Sequence, residues 1–238
     1  MSDPTPPPVE HVASPALFPP FVVQRSVRFE VGGGGDLAAA FPGVLLPEWL
    51  GKAVPKRQTE FLAGRYCARE ALRIAEPEHA DRPIGRGAMN EPAWPPRIVG
   101  AITHTDRFAS VAIATTEHAH ALGLDVERWV SDEQATSLLE QIATPDEIAA
   151  LRRATGWSVG KVFTIVFSAK ETIFKCLFPE VRRYFDFREA RVTALTPDGS
   201  FRAELLVPLT PSLPAGHRLE GRFVEDAATV ATGMLVPA

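Results

Sequence analysis

The chain has little cysteine, no long apolar run and no concentration of basic charge, and each shortage removes a class of protein. Its two cysteines, Cys67 and Cys176, lie far apart and form no Cys-x-x-Cys pair. They read as reduced, buried thiols of a cytoplasmic protein, not as a disulfide framework. No stretch approaches the ~20 apolar residues a membrane-spanning helix needs. The N-terminus, Met1-Ser2-Asp3-Pro4-Thr5-Pro6-Pro7-Pro8, has neither a basic nor an apolar segment and is not read as a secretory signal. Net charge is −4 with both signs scattered, which argues against nucleic acid, whose binding asks for a concentrated basic face. It leaves room for a local basic pocket that takes one phosphorylated ligand. His11, His79, His118, His120 and His217 show no zinc-ligand spacing.

What is present is a globular chain of 238 residues, 45% of them apolar, enough for one large domain or two small ones fused. Residues 1–20 are rich in proline and aperiodic, an extended or disordered arm. Phe21–Val31 alternates as a strand, ended by Gly32-Gly33-Gly34-Gly35, a flexible turn with no Lys-Ser/Thr after it to make a phosphate loop. Residues 56–75 have helical spacing, with Phe61, Ala68, Leu72 and Ala75 apolar and Arg57, Arg65, Arg69 and Arg73 charged. Ile98–Thr103 and Ala109–Ala114 suggest a hairpin around Asp106-Arg107, and Ala121–Glu127 a further strand. Thr144-Pro145-Asp146-Glu147 is a helix start. A second long helix is predicted over Ser158–Leu177, with Pro179 beyond its end. Strands are predicted over 190–195, 201–207 and 219–236, the last broken at Asp226.

Three groups of residues carry chemistry. Asp125 and Glu127, two apart in a strand, leave the same face. Such a pair suits Mg²⁺, which takes oxygen ligands and keeps sites for water and phosphate; two surface acids on a solvated strand would look the same. In Phe167-Ser168-Ala169-Lys170-Glu171-Thr172-Ile173-Phe174-Lys175, Glu171 and Lys175 share a helix face at i and i+4. A surface ion pair is the plain account, but the flanking residues are largely apolar, and a buried charge pair is costly unless something compensates it. A metal beside the carboxylate and a phosphate beside the lysine would do so. Thr103-His104 follows a β-run, where His104 is either a phosphate-binding or acid–base group or an ordinary turn or core residue.

These segments resemble the phosphopantetheinyl transferase superfamily, in particular its long-chain branch serving siderophore, nonribosomal-peptide and polyketide synthases. Gly123-Leu124-Asp125-Val126-Glu127 matches that family's Gly-hydrophobic-Asp-hydrophobic-Glu motif. Phe167–Lys175 matches its aromatic-Ser-x-Lys-Glu-x-x-x-Lys motif, and Thr103-His104 its Ser/Thr-His element. Arg57-Gln58-x-x-Phe61-Leu62-Ala63-Gly64-Arg65, and Gly85-Arg86-Gly87 followed by Pro92-x-Trp94-Pro95, are similar to the enterobactin-associated subgroup. The likeness spans roughly residues 55–180, five motifs in the family's order.

The resemblance implies an α/β (α+β) fold of two similar halves related by a pseudo-twofold axis, with the site in the cleft between them. The N-terminal half would be 21–118, on the coenzyme A 3′-phosphate and adenine side, and the C-terminal half 119–238. It implies transfer of the 4′-phosphopantetheine group of coenzyme A to a serine of an apo acyl or peptidyl carrier protein, releasing 3′,5′-ADP. Asp125, Glu127 and Glu171 would hold Mg²⁺, for which Mn²⁺ can substitute. Lys175 would sit by the pyrophosphate, Lys170 would support coenzyme A binding, and Arg57, Arg65, Arg86, Thr103 and His104 would hold the 3′-phosphate and adenine end. Glu171, or a water it holds, is the candidate general base. The chain is long enough for both halves, so a cytoplasmic monomer is expected, with neither nucleic acid nor membrane as partner. A basic or apolar patch should receive the carrier's acidic helix, with Arg152, Arg153 and Trp157 as candidates. Two other readings compete: a Mg²⁺-dependent hydrolase of coenzyme A or nucleotides, and a non-catalytic coenzyme A or carrier-binding module.

Overall fold

Val27 and Phe29 alternate with polar neighbours, and this part of the chain is a strand, β2 (Val23–Phe29), in a computed structural model that describes residues 9–31 and 37–238. Residues 9–12, which the sequence places in the N-terminal arm, form an edge strand, β1 (Val9–Val12), antiparallel to β2 with Val9 opposite Phe29. The proline-rich residues 1–8 and the expected turn at 32–35 lie outside the described residues. After a one-turn helix, α1 (Leu37–Ala40), comes the first long helix, α2 (Pro55–Ala75), with Pro55 in its first turn, where no amide is needed. A two-stranded pair, β3 (Gly85–Arg86) and β4 (Pro92–Ala93), precedes the expected hairpin of β5 (Ile98–Thr105) and β6 (Phe108–Thr115). Thr105 stands opposite Phe108, so Asp106-Arg107 makes the turn.

These strands form a four-stranded sheet in the order β1-β2-β6-β5. One face of α2 (Leu62, Ala63, Cys67, Ala68, Ala71 and Leu72) is buried with Val27, Phe29, Val111 and Ile113 of the sheet. Gly64 lets α2 come close to β5: a Cβ there would lie 2.8 Å from Ile102 Cγ2.

The second compact unit comprises Ala121–Pro237 together with Pro15–Phe18. It opens on β7 (Ala119–Arg128), followed by α3 (Asp132–Ile142), α4 (Pro145–Thr155) and α5 (Val159–Val181). Four strands complete it: β8 (Ala190–Leu195), β9 (Ser200–Leu205), β10 (Arg218–Glu225) and β11 (Thr229–Pro237). The sheet order is β7-β11-β10-β9-β8. Val162, Ile165, Val166, Ala169, Ile173 and Cys176 of α5 pack with Phe201, Phe223, Val230 and Met234 of the sheet. Each such large side chain taken fully out of water contributes about 1.5–3 kcal/mol. Thr144 caps α4 by accepting from the Glu147 amide at 3.2 Å, as its sequence foretells.

The architecture is mixed α/β, as the sequence reading expects, and besides β1 in the N-terminal arm and the β3–β4 pair the helices depart from that reading in two places. Helix α5 runs through Pro179, which the sequence places beyond the helix end. In the last turn a proline costs one backbone bond, and Arg182, with φ 55°, closes the helix by donating its amide to the Phe178 carbonyl at 2.9 Å. Helix α3 is an element the sequence reading leaves out.

Candidate active site

Strand β7 carries the first two acids, and a glycine brings it into place. A Cβ on Gly123 would collide with the Thr172 carbonyl oxygen and come within 2.9 Å of Cys176 Cβ. Only glycine therefore lets β7 lie this close to α5. Two residues on, Asp125 is 3% exposed, which excludes the solvated-strand alternative. Its carboxylate is held from α5 on both sides: Ser168 Oγ donates to Oδ2 at 2.8 Å and Lys175 Nζ to Oδ1 at 2.6 Å. Glu127 and Glu171 are half-buried, and both influence the same charges. Lys175 shares a helix face with Glu171, one turn back, and its hydrogen bond goes across to Asp125 on the strand.

Burial, reinforced by Asp125 and Glu171 and opposed by Lys175, pushes the Glu127 carboxyl up to about 8. Burial also raises Glu171, with Asp125 adding and Lys175 opposing. For Lys175, burial disfavours the ammonium, but Asp125, Glu171 and Glu127 outweigh it and hold the group above an ordinary lysine. Three carboxylates thus act on one ammonium, which bonds Asp125, itself buried, while Glu127 and Glu171 are half-buried. An all-oxygen donor set with excess negative charge fits a hard divalent cation of the Mg²⁺ type, and such an ion would relieve the crowding that raises Glu127. Among the described residues, the group whose ligand atoms all lie within 4.8 Å of one another is Glu76, Glu78 and His79. That group lies at the surface beyond the end of α2, where acids are common.

Lys170 does not join this group. It is 2% exposed, and its ammonium donates to Glu147 Oε2 at 2.9 Å and to the Ile142 carbonyl at 3.0 Å. Glu147 Oε1 in turn accepts the Val192 amide at 2.8 Å. Burial lowers the Lys170 pKa, with Glu147 opposing. One residue along a helix turns the side chain by about 100°, so Lys170 ties α5 to α3, α4 and β8 while its neighbour Glu171 joins Asp125.

The first unit carries a basic, aromatic-lined pocket. Arg57, Phe61 and Arg65 recur at i, i+4 and i+8 along α2, on one face. The Arg65 guanidinium lies 4.8 Å from the Phe61 ring centre, and its Nη2 donates to the Gly85 carbonyl at 3.1 Å. Trp49 stands edge-on to Phe61 at 5.5 Å, and the Arg86 guanidinium sits 4.5 Å over the Trp49 ring. Trp49, Phe61, Arg65 and Arg86, together with Arg69 and Asp81, line a cavity of about 240 Å³, and Arg57 is not part of its wall. Arg65 Nε and Arg69 Nε are buried without a hydrogen-bond partner in the structure. Burial lowers Arg65 to about 10, leaving it a cation at neutral pH. His104 leaves β5 toward α2, its Nδ1 3.7 Å from Glu60 Oε2. Thr103, 3% exposed, leaves the opposite face of the strand. The sequence motif Thr-His thus names neighbours that do not point together.

Sequence reasoning missed Ser168, Thr172 and Thr232 around Asp125, and Trp49 and Arg69 in the pocket. Ser168 lies inside a recognised motif, and its i, i+7 relation to Lys175 puts both on one helix face, a usable signal. Trp49 sits before the helix in a short turn, where no periodicity marks it. Of the docking candidates, Arg152 and Arg153 are exposed in the last turn of α4, where basic residues also suit the helix dipole. Trp157 packs edge-on against Phe223 at 6.1 Å.

With known families, residues 46–114 match the profile of the 4′-phosphopantetheinyl transferase N-terminal domain, and residues 121–220 that of the 4′-phosphopantetheinyl transferase superfamily. Among curated proteins, the chain is 36% identical over 209 residues to the 4′-phosphopantetheinyl transferase Svp of Streptomyces mobaraensis, covering 82% of this chain and 80% of that one. It is 31% identical to PptT, the 4′-phosphopantetheinyl transferase of Mycobacterium tuberculosis, over 87% of this chain and 93% of that one. It is also 35% identical to enterobactin synthase component D of Salmonella typhimurium, over 59% and 56%.

Proposed function

The chain belongs to the 4′-phosphopantetheinyl transferase superfamily, and on that premise we propose how its residues move the phosphopantetheine arm of coenzyme A onto a serine of an apo carrier protein. The carriers are those of nonribosomal-peptide, polyketide or siderophore synthesis. The observation that carries the proposal is the buried Asp125 carboxylate, fixed by Ser168 and Lys175 beside Glu127 and Glu171.

Asp125, Glu127 and Glu171 would hold Mg²⁺, or Mn²⁺ in its place; bound there, the ion supplies positive charge to the pyrophosphate oxygens. Lys175 contributes a second fixed positive charge, already oriented by Asp125 and so needing no reorganisation as the reaction proceeds. The carrier's serine oxygen attacks the β-phosphorus, its proton passes to Glu171 or to a water Glu171 holds, and the bond to the leaving oxygen breaks. The electron pair leaves with 3′,5′-ADP.

In the first unit, Arg65 and Arg86, each backed by an aromatic ring, with Arg57 and His104, would take the 3′-phosphate and adenine end. Guanidinium groups with free N–H donors suit a phosphate, and Trp49 offers a face to a base. Thr103 contributes by fixing the strand that carries His104. Lys170 contributes by holding α5. Among the described residues no helix is long and apolar enough to cross a membrane. A cytoplasmic monomer is the working form we propose.

Steady-state transfer to an apo carrier, followed with Mg²⁺, with Mn²⁺ and with EDTA, tests the reading. EDTA should abolish transfer. Glu171→Ala and Lys175→Ala should each lower kcat/KM by about 10²-fold or more while the fold persists. A stable double variant that stays active would refute the assignment. Coenzyme A cleavage without a modified carrier would favour a hydrolase, and neither product would favour a binding module.

A further inference from the structure

Beside the acids and Lys175, three hydroxyl groups form a buried chain that the reaction scheme leaves unused. Ser168 and Thr172 lie one turn apart on α5 and Thr232 lies on β11, and all three side chains are fully buried. Buried hydroxyls need partners, and these find them in one another. Thr172 Oγ1 and Thr232 Oγ1 are 2.7 Å apart, and Thr232 Oγ1 is 2.9 Å from both Ser168 Oγ and the Ser168 carbonyl oxygen. Ser168 Oγ donates to Asp125 Oδ2 at 2.8 Å.

Each hydroxyl owns a single proton, and that fixes the direction of the chain. The Ser168 proton is committed to the carboxylate, so Ser168 Oγ accepts from Thr232. The Thr232 proton faces the two oxygens of Ser168, so Thr232 Oγ1 accepts from Thr172. Along the hydroxyls the order runs from Thr172 through Thr232 to Ser168 and on to Asp125, with the Thr172 proton shared with the Thr232 carbonyl at 3.2 Å and the Thr232 proton shared with the Ser168 carbonyl. Without Thr232, a serine inside a helix has another choice, turning its hydroxyl to the carbonyl one turn back.

We propose that Thr232, acting through Ser168, is a positioning residue for Asp125. Its hydroxyl keeps that of Ser168 aimed at Oδ2, so the carboxylate keeps one orientation toward the metal, with Oδ1 on Lys175. The inference rests on the reading of Asp125 as a metal ligand.

The test is Mn²⁺ binding, read by electron paramagnetic resonance of free Mn²⁺, to the full chain with coenzyme A and no carrier. Thermal unfolding of each variant is recorded alongside. Ser168→Ala and Thr232→Val should weaken Mn²⁺ binding by about ten-fold or more, the usual cost of losing an outer-shell partner. Thr232→Ser, which keeps the hydroxyl, should bind close to the wild-type value, and raising Mg²⁺ should recover part of the Thr232→Val transfer rate. A folded Thr232→Val that binds Mn²⁺ like wild type overturns the proposal. If that variant does not fold, wild-type binding by folded Ser168→Ala overturns it equally. A wild-type chain that binds no Mn²⁺ refutes the carboxylate reading itself and the relay's role with it.

Discussion

At the scale of single residues, a carboxylate as buried as Asp125 persists only because both oxygens are bonded, one by a charged donor. The same burial governs the two thiols. It pushes Cys67 and Cys176 up to about 12, so at about pH 8 almost no thiolate exists to react. An aromatic disulfide reagent should leave both untouched in the native protein and titrate both after unfolding; prompt labelling of the native chain would contradict their placement. Strand period puts Asp125 and Glu127 on one side and helix period Glu171 and Lys175, so their grouping was legible in the sequence; the Lys175–Asp125 bond was not. Where the Lys170 ammonium goes was not legible, because adjacency in a motif says nothing about direction around a helix. Its two partners, Glu147 and the Ile142 carbonyl, come from segments more than twenty residues away. Trp49 was invisible for a similar reason, its role being set by Phe61 and Arg86.

At the scale of elements, the site depends on how closely β7 approaches α5. Gly123→Ala should destabilise the protein by about 1–3 kcal/mol through overpacking and should lower transfer, since the strand bearing Asp125 must move away. Differential scanning calorimetry and the transfer assay read the two effects together. Lys170→Met should cost about 3–5 kcal/mol by leaving Glu147 buried without its partner, lowering Tm by about 10 °C. The KM for coenzyme A of the folded variant should hardly change, whereas a large rise in KM with Tm unaltered would return Lys170 to the ligand. The long elements were legible from their periods, α2 and the β5–β6 hairpin almost to the residue. Helix α3 was not read, although Ser131 and Gln134 cap it reciprocally, because its exposed face leaves few apolar positions to count. Pro179 misled because a proline stops a helix only where the lost bond and its ring cannot be absorbed.

At the scale of the whole molecule, the chain assigns its acids to one unit and its arginine-and-aromatic pocket to the other. Net charge alone hides this pattern, because an overall −4 coexists with a locally basic pocket. Light scattering after size exclusion should give the mass of one chain, and a stable oligomer would contradict the monomer. The measurement that bears most directly on the central claim is intact-protein mass spectrometry of an apo carrier incubated with the chain, coenzyme A and Mg²⁺. The account predicts that the carrier gains one phosphopantetheinyl group, and that the gain disappears with EDTA, with the carrier serine replaced, or with Glu171→Ala. A carrier that gains the group equally well in EDTA would contradict the metal-holding role given to Asp125, Glu127 and Glu171.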